Sequence, residues 1–288
     1  MNRKYSEDQL NHPPIYQSDL FKSKCKRIAP NNCFTRTLPV MASLLLVVII
    51  LAGCTNQQQS AFKSIEGKNH SAISPVEQTI EEVVEWWKPR HEMINKRLDK
   101  GNVDLLFIGN SIIHGWENIG REYWDIYYEP RNAVNMGFGW DRTQHVLWRL
   151  DHSNFDNISP KLAIVMIGTN NSGGDDNTAE EIADGIIAIC KRLRDKLPEM
   201  KILLLAIFPR GHEPSIQRQK NATASLLASK IADGKMIHYL DINEVFLTEN
   251  GILTQDIMPD YLHPNKLGYK IWAESMEPIV AQMMGEGN

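Results

Sequence analysis

The stretch DLLFIGNSIIHGW, Asp104 to Trp116, reads as a buried strand that breaks off at a turn. Four apolar residues, Leu105 to Ile108, lead into Gly109, Asn110 and Ser111, and helix-compatible residues follow. A strand that is apolar at every position, rather than at alternate ones, is covered on both faces. Taken alone, Ser111 is an ordinary helix N-cap, because its hydroxyl can satisfy an unpaired amide. The rest of the chain decides whether it is more.

Outward from this stretch, strand-like runs recur at Ala133–Asn135, Ala163–Ile167, Ile202–Phe208 and Ile237–Leu240. Helix-like segments alternate with them. From Thr178 to Lys196, Ile182, Ile186, Ile189, Cys190 and Leu193 form one apolar stripe, and Thr178 with Glu181 has capping-box spacing. The last helix spans roughly Lys266 to Met284, and an opening helix starts at Pro75, with Pro89 expected to kink it. Five strands, of which Leu105–Ile108, Ala163–Ile167 and Ile202–Phe208 are apolar throughout, alternating with helices predict an α/β three-layer sandwich around a parallel sheet. Without a repeat or a second linker, residues 75–286 read as one domain.

Residues 1–53 read as an N-terminal extension and signal peptide. The apolar run from Met41 to Gly53 is too short to span a bilayer, has basic residues before it, and ends in Leu51-Ala52-Gly53-Cys54. That ending resembles the bacterial lipoprotein cleavage box, in which the cysteine is lipidated and becomes the mature N-terminus. The resemblance implies an exported lipoprotein of a bacterial cell envelope, held to the membrane through Cys54. The long n-region admits a start codon downstream of Met1. Residues 54–74 then read as a flexible tether. With Cys25 and Cys33 upstream of the cut, Cys190 is the one cysteine left, so no intramolecular disulfide and no metal-ligand spacing is expected. The 288 residues carry a formal net charge of −4, which gives no reason to expect nucleic acid as a partner.

In open parallel sheets, ligands bind outside the carboxyl ends of the strands. Ser111 follows the first strand, NMGFGWDRT (135–143) the second, GTNNSGG (168–174) the third, and PDYLHPNKLGY (259–269) lies past the fifth. A serine hydroxyl needs a base to take its proton. His263 is the candidate base, and Asp260, three residues earlier, can hold its other ring nitrogen in the right tautomer. The Ser111 N–H, an N–H of the Gly137–Trp140 turn and the Asn170 amide are candidate oxyanion donors, and a helix opening at Ser111 would add its dipole.

These four blocks, in this order, resemble the SGNH (GDSL-type) hydrolase superfamily: IGNSI, NMGFGWDRT, GTNN and DYLHP. Within it, NMGFGWDRTQHVLWRL, FPRG and HPNKLGY are most similar to the platelet-activating-factor acetylhydrolase catalytic subunits and their bacterial relatives. The resemblance covers roughly residues 100 to 285. It implies a five-stranded flavodoxin-like sheet and ester hydrolysis with no metal or cofactor. It also implies a preference for short acyl groups such as acetyl, on carbohydrate or small-molecule esters. Carried over by position, Ser111 is the nucleophile, Asp260 and His263 complete the triad, and Asn170 is an oxyanion donor. Two positions depart from the pattern. Asn110 replaces an aspartate that shapes the turn. Trp140 stands where the family has its oxyanion glycine, so either Trp140 donates its own N–H or Gly139 takes over.

Around these, Asn110, Trp116 and Arg142 are candidate substrate contacts. Trp86, Trp87 and Trp148 read as packing anchors, and His114 and His145 as structural or substrate-contacting. Alternative readings stay open: a lysophospholipase or thioesterase acting on longer acyl chains, or a binding module in which Trp140 marks a degenerate oxyanion hole. A flavodoxin-like cofactor protein is disfavoured, because the first loop lacks a Ser/Thr-rich phosphate cradle. Oligomeric state leaves no mark in the sequence.

Overall fold

The computed structural model describes residues 58–174 and 176–286. Cys54 and the apolar run before it lie outside the described residues. The elements are α1 (Glu81–Leu98), β1 (Leu105–Gly109), α2 (Ser111–His114), α3 (Arg121–Tyr127), β2 (Ala133–Gly137), α4 (Thr143–Asp151), β3 (Leu162–Met166), α5 (Ala179–Lys196), β4 (Lys201–Leu205), α6 (Ile216–Ala228), β5 (Ile237–Leu240) and α7 (Lys266–Met284). The five strands form one sheet in the order β2-β1-β3-β4-β5, and every pairing is parallel. This is the flavodoxin-like order, in which ligands meet the sheet at the β1/β3 switch point.

Successive side chains of a strand point to opposite faces, and β1 supplies both cores from one apolar run. Leu106 and Ile108 pack into the core beneath α1, α4, α5 and α6. Leu105 and Phe107 pack into the second core, beneath α2, α3 and α7. Cys190 is fully buried in the first core, as its helix stripe implied. The predicted capping box is present: the Glu181 N–H donates to Thr178 Oγ1, and the Thr178 N–H donates to the Glu181 carboxylate.

Register places the loops. Gly109 at the end of β1 pairs with Gly137 of β2 and with Met166 of β3, so three strands finish at one level and their loops open on one edge. Gly137 is glycine because α2 lies directly against it. A Cβ there would collide with the His114 backbone nitrogen and with Ile113.

Two expectations fail at the N-terminal side. The opening helix begins at Glu81, not at Pro75, and continues unbroken through Pro89. The acids Glu81 and Glu82, which favour a helix N-terminus, mark the true start. Residues 75–80 instead form an extended strap, in which the Gln78 side-chain oxygen accepts from the Thr79 and Ile80 N–H groups. The stretch read as a flexible tether is also docked over its described part. Residues 58–64 are helical, Phe62 and Ile65 pack on the first core, Lys68 pairs with Asp184 at 2.7 Å, and the Thr143 hydroxyl donates to Ala72 O at 2.8 Å. Polar composition hid a few apolar anchors that suffice to hold the segment down.

Overpacking a tight site costs about 1–3 kcal/mol, which in a domain of this size lowers the melting temperature by about 3–10 °C. Gly137→Ala is therefore expected to lower Tm by that amount in a thermal denaturation scan. An unchanged Tm would contradict the close approach of α2 to β2.

Candidate active site

The turn after β1 is held from all sides. Asn110 caps α2, its side chain accepting the Ile112 N–H at 3.0 Å. The Tyr269 hydroxyl donates to Ile112 O at 2.7 Å, and the Asn135 amide donates to Ile113 O at 2.9 Å. Ser111 thus opens a rigid single turn, its N–H having no acceptor among the described residues. The helix opens at Ser111, as expected, and runs on into a 3-10 turn at Gly115–Glu117. Asn110 is buried, and its side-chain oxygen is committed to the cap.

Across the edge of the sheet, Ser111 Oγ lies 2.8 Å from His263 Nε2, and His263 Nδ1 lies 2.6 Å from Asp260 Oδ2. Asp260 also accepts the N–H groups of Leu262 (3.0 Å) and His263 (2.8 Å) through Oδ1. Burial pushes the Asp260 carboxyl up, but these hydrogen bonds from the His263 ring and the backbone outweigh it and hold the carboxyl below its ordinary value. An ionised Asp260 can only accept, so His263 Nδ1 carries the hydrogen and Nε2 presents a lone pair to the Ser111 hydroxyl. Between the two residues, Tyr261 takes a left-handed φ of 58°, which folds the loop so that they converge.

The turn after β2 also has a left-handed residue. The Asp141 N–H donates to Phe138 O at 3.3 Å, closing a turn in which Trp140 has φ 67°. A glycine adopts this conformation freely; for an L-residue it costs about 1–2 kcal/mol. Among the described residues, the other left-handed non-glycine positions are Asn102 and Asn132, where asparagine is well tolerated. The N–H groups of Gly139 and Trp140 have no acceptor among the described residues. The indole itself is 63% exposed. After β3, the Asn170 side-chain amide donates to Asp141 O at 2.9 Å and keeps a second hydrogen for the site.

Beneath this edge lies a network that residue spacing did not reveal. The Asp141 carboxylate, fully buried, accepts from Trp87 Nε1 at 2.7 Å and from Arg149 Nε at 2.8 Å. Burial pushes the Asp141 carboxyl up, while the Arg149 guanidinium and the Trp87 N–H pull the other way. Arg90 donates to Gly137 O at 3.0 Å and pairs with Glu117, and both Arg90 and Arg149 lie over the Phe138 ring. These partners come from α1, α4 and a loop, with no shared period to betray them.

Trp116, read as a substrate contact, is wholly buried against Tyr128, Tyr269 and Trp272 and belongs to the second core. Trp87 is equally buried, consistent with a packing anchor. Arg142 stands at the rim, its guanidinium paired with Asp176 at 2.8 Å. His114 and His145 are pushed down to about 4 by burial, so both rings are uncharged near neutrality. The Arg142 N–H donates to His145 Nδ1, which gives the latter a structural role.

Residues 107–271 match the GDSL-like Lipase/Acylhydrolase family. Platelet-activating factor acetylhydrolase IB subunit alpha1 from Homo sapiens is 30% identical over 224 residues, 77% of this chain and 94% of that protein. The alpha2 subunit from Mus musculus is 34% identical over 220 residues, 76% of this chain and 93% of that protein. Among solved structures, a GDSL-like lipase from Bacteroides thetaiotaomicron aligns with a TM-score of 0.51 at 18% identity, over 70% of this chain and 97% of its own. A carbohydrate acetylesterase from Sinorhizobium meliloti gives 0.50 at 16% identity, over 63% of this chain and 100% of its own. These two are likenesses of fold.

If the site works as its hydrogen bonds suggest, Asp260→Asn lowers kcat by about 10²–10⁴ and Asn170→Ala by about 10²–10³, with little change in KM. Steady-state kinetics on p-nitrophenyl acetate reads both. A loss of less than about threefold in either variant would remove that residue from the reaction.

Proposed function

The chain belongs to the GDSL-like lipase/acylhydrolase family and is a carboxylic ester hydrolase, and from that premise we propose that it releases short acyl groups, acetyl foremost, from carbohydrate or small-molecule esters. The observation that carries this reading is the 2.8 Å contact between Ser111 Oγ and a His263 ring already oriented by Asp260.

The chemistry follows from that contact. Ser111 Oγ attacks the ester carbonyl while its proton passes to His263 Nε2. Negative charge collects on the former carbonyl oxygen, where the Ser111 N–H, the N–H groups of the Gly139–Trp140 turn and the Asn170 amide receive it. Collapse of the tetrahedral intermediate breaks the bond to the alcohol, which leaves with the proton from His263. Water, deprotonated by the same ring, then hydrolyses the acyl-serine. Asp260 keeps the ring in place and offsets the positive charge it gains at each step.

A short acyl group suits the surroundings. Burying a chain stabilises a complex by about 0.8 kcal/mol per methylene, and only where the wall is apolar. Polar side chains interrupt the cleft that reaches Asn170 and Trp140, so it offers a long chain no continuous apolar wall. The mammalian relatives, named acetylhydrolases, agree with this preference.

Ser111→Ala is expected to reduce hydrolysis of p-nitrophenyl acetate by about 10³-fold or more. Across p-nitrophenyl esters from acetate to dodecanoate, kcat/KM is expected to peak at acetate. Full activity in Ser111→Ala, or a maximum at octanoate or beyond, would overturn the reading.

A further inference from the structure

We propose that the cleft between Trp140 and the 75–80 strap seats the leaving group of the substrate, and that this group is an oligosaccharide laid against the indole face, an inference that rests on the ester-hydrolase reading above.

Trp140 is held in a left-handed conformation that glycine would adopt without strain, yet its ring is largely exposed and no aromatic ring of the described residues packs on it. The side chain therefore neither suits its backbone nor fills a core. Strain of this kind collects where a function needs it. A flat indole facing solvent beside a reacting centre offers a broad apolar face with a negative quadrupole, which suits the C–H face of a sugar ring.

The cleft beside it measures about 550 Å³ and is continuous with the candidate oxyanion donors through Asn170 and Trp140. Eleven of its fifteen lining residues are polar or charged, and Val76, Ile80 and Trp140 supply its apolar surface. Its polar groups are anchored and keep spare hydrogen-bonding capacity. Arg210 donates to Thr169 O and Oγ1, each at 3.2 Å, and has no carboxylate in ion-pair reach among the described residues. The Gln217 amide nitrogen is bound to Ser172 Oγ at 3.1 Å, leaving its carbonyl free to accept. Glu77 is paired with Lys88 and Arg142 with Asp176, which leaves the Arg210 guanidinium as the donor free to meet sugar hydroxyls.

Val76 to Ile80 form the far wall, and the Val76 N–H donates to Gln144 O at 3.3 Å. The wall is thus fixed to α4 and defines a slot in which one sugar ring can lie against Trp140 and the next can reach Arg210 and Gln217.

Selectivity tests this with three O-acetylated tetrasaccharides, built on xylose, glucose and N-acetylglucosamine, each compared with p-nitrophenyl acetate. For the best of the three, the ratio of its kcat/KM to that for p-nitrophenyl acetate is expected to fall about tenfold in Trp140→Gly, the loss of one stacking contact. Gln217→Ala, remote from the backbone strain, is expected to lower the same ratio about threefold, through KM. Ratios within about twofold of the parent in both variants, for all three sugars, would overturn the inference, as would a Trp140→Gly ratio that shifts for dodecanoate and for no sugar. A parent that cleaves p-nitrophenyl acetate while those ratios stay fixed keeps the ester-hydrolase reading and loses only the glycan subsite. A parent inert on every ester loses both.

Discussion

The buried Asp141–Arg149 pair is the contact on which the site depends. Asp141 follows the turn that carries Gly139 and Trp140, and its carboxylate is closed off from water between Arg149 and Trp87. Arg149 reaches on to Gly109 O, and the Phe138 N–H donates to the same oxygen, so the turns after β1 and β2 share one anchor. A buried ion pair adds little net stability over apolar packing, but breaking one by removing a single partner costs about 3–5 kcal/mol. Its value here is positional. Reacting groups on separate loops act together only if their spacing is fixed before the substrate arrives.

The sheet does the coarser part of that work. Three strands that end in register deliver three loops to one edge, and the fourth group, the Asp260–His263 loop, arrives from beyond β5. Two loops bear left-handed bulky residues, Trp140 and Tyr261. At Tyr261 the strain brings an acid and a histidine three residues apart onto one another. At Trp140 it turns an indole outward beside the reacting centre. Both conformations persist because the surrounding hydrogen bonds over-determine them: Gly211 N–H to Tyr261 O on one side, Asn170 to Asp141 O on the other.

Much of this was legible in the sequence, for a physical reason. All-apolar strands that alternate with periodic helices admit few arrangements besides a covered parallel sheet, and parallel sheets put function at their carboxyl edge. Ser111, Asn170, Asp260 and His263 could therefore be placed on one edge before any coordinates. What escaped was decided by single long-range contacts. Trp116, two residues past the α2 turn, is drawn into the second core by Tyr269 and Trp272, more than 150 residues away in sequence. The strap at residues 75–80 followed Pro75 and looked like a helix start. The acids that favour the helix N-terminus stand at 81 and 82. Polar composition suggested a tether where Phe62, Ile65 and the Lys68–Asp184 pair hold the chain down.

The account stands on the nucleophilicity of one hydroxyl. Incubation with a fluorophosphonate, followed by proteolysis and peptide mass mapping, measures it directly, because the reagent is captured only by a serine activated as a nucleophile. The account predicts one adduct, on Ser111, that disappears in His263→Ala. A protein that takes up no label, or takes it up elsewhere while Ser111 stays unmodified, would contradict it.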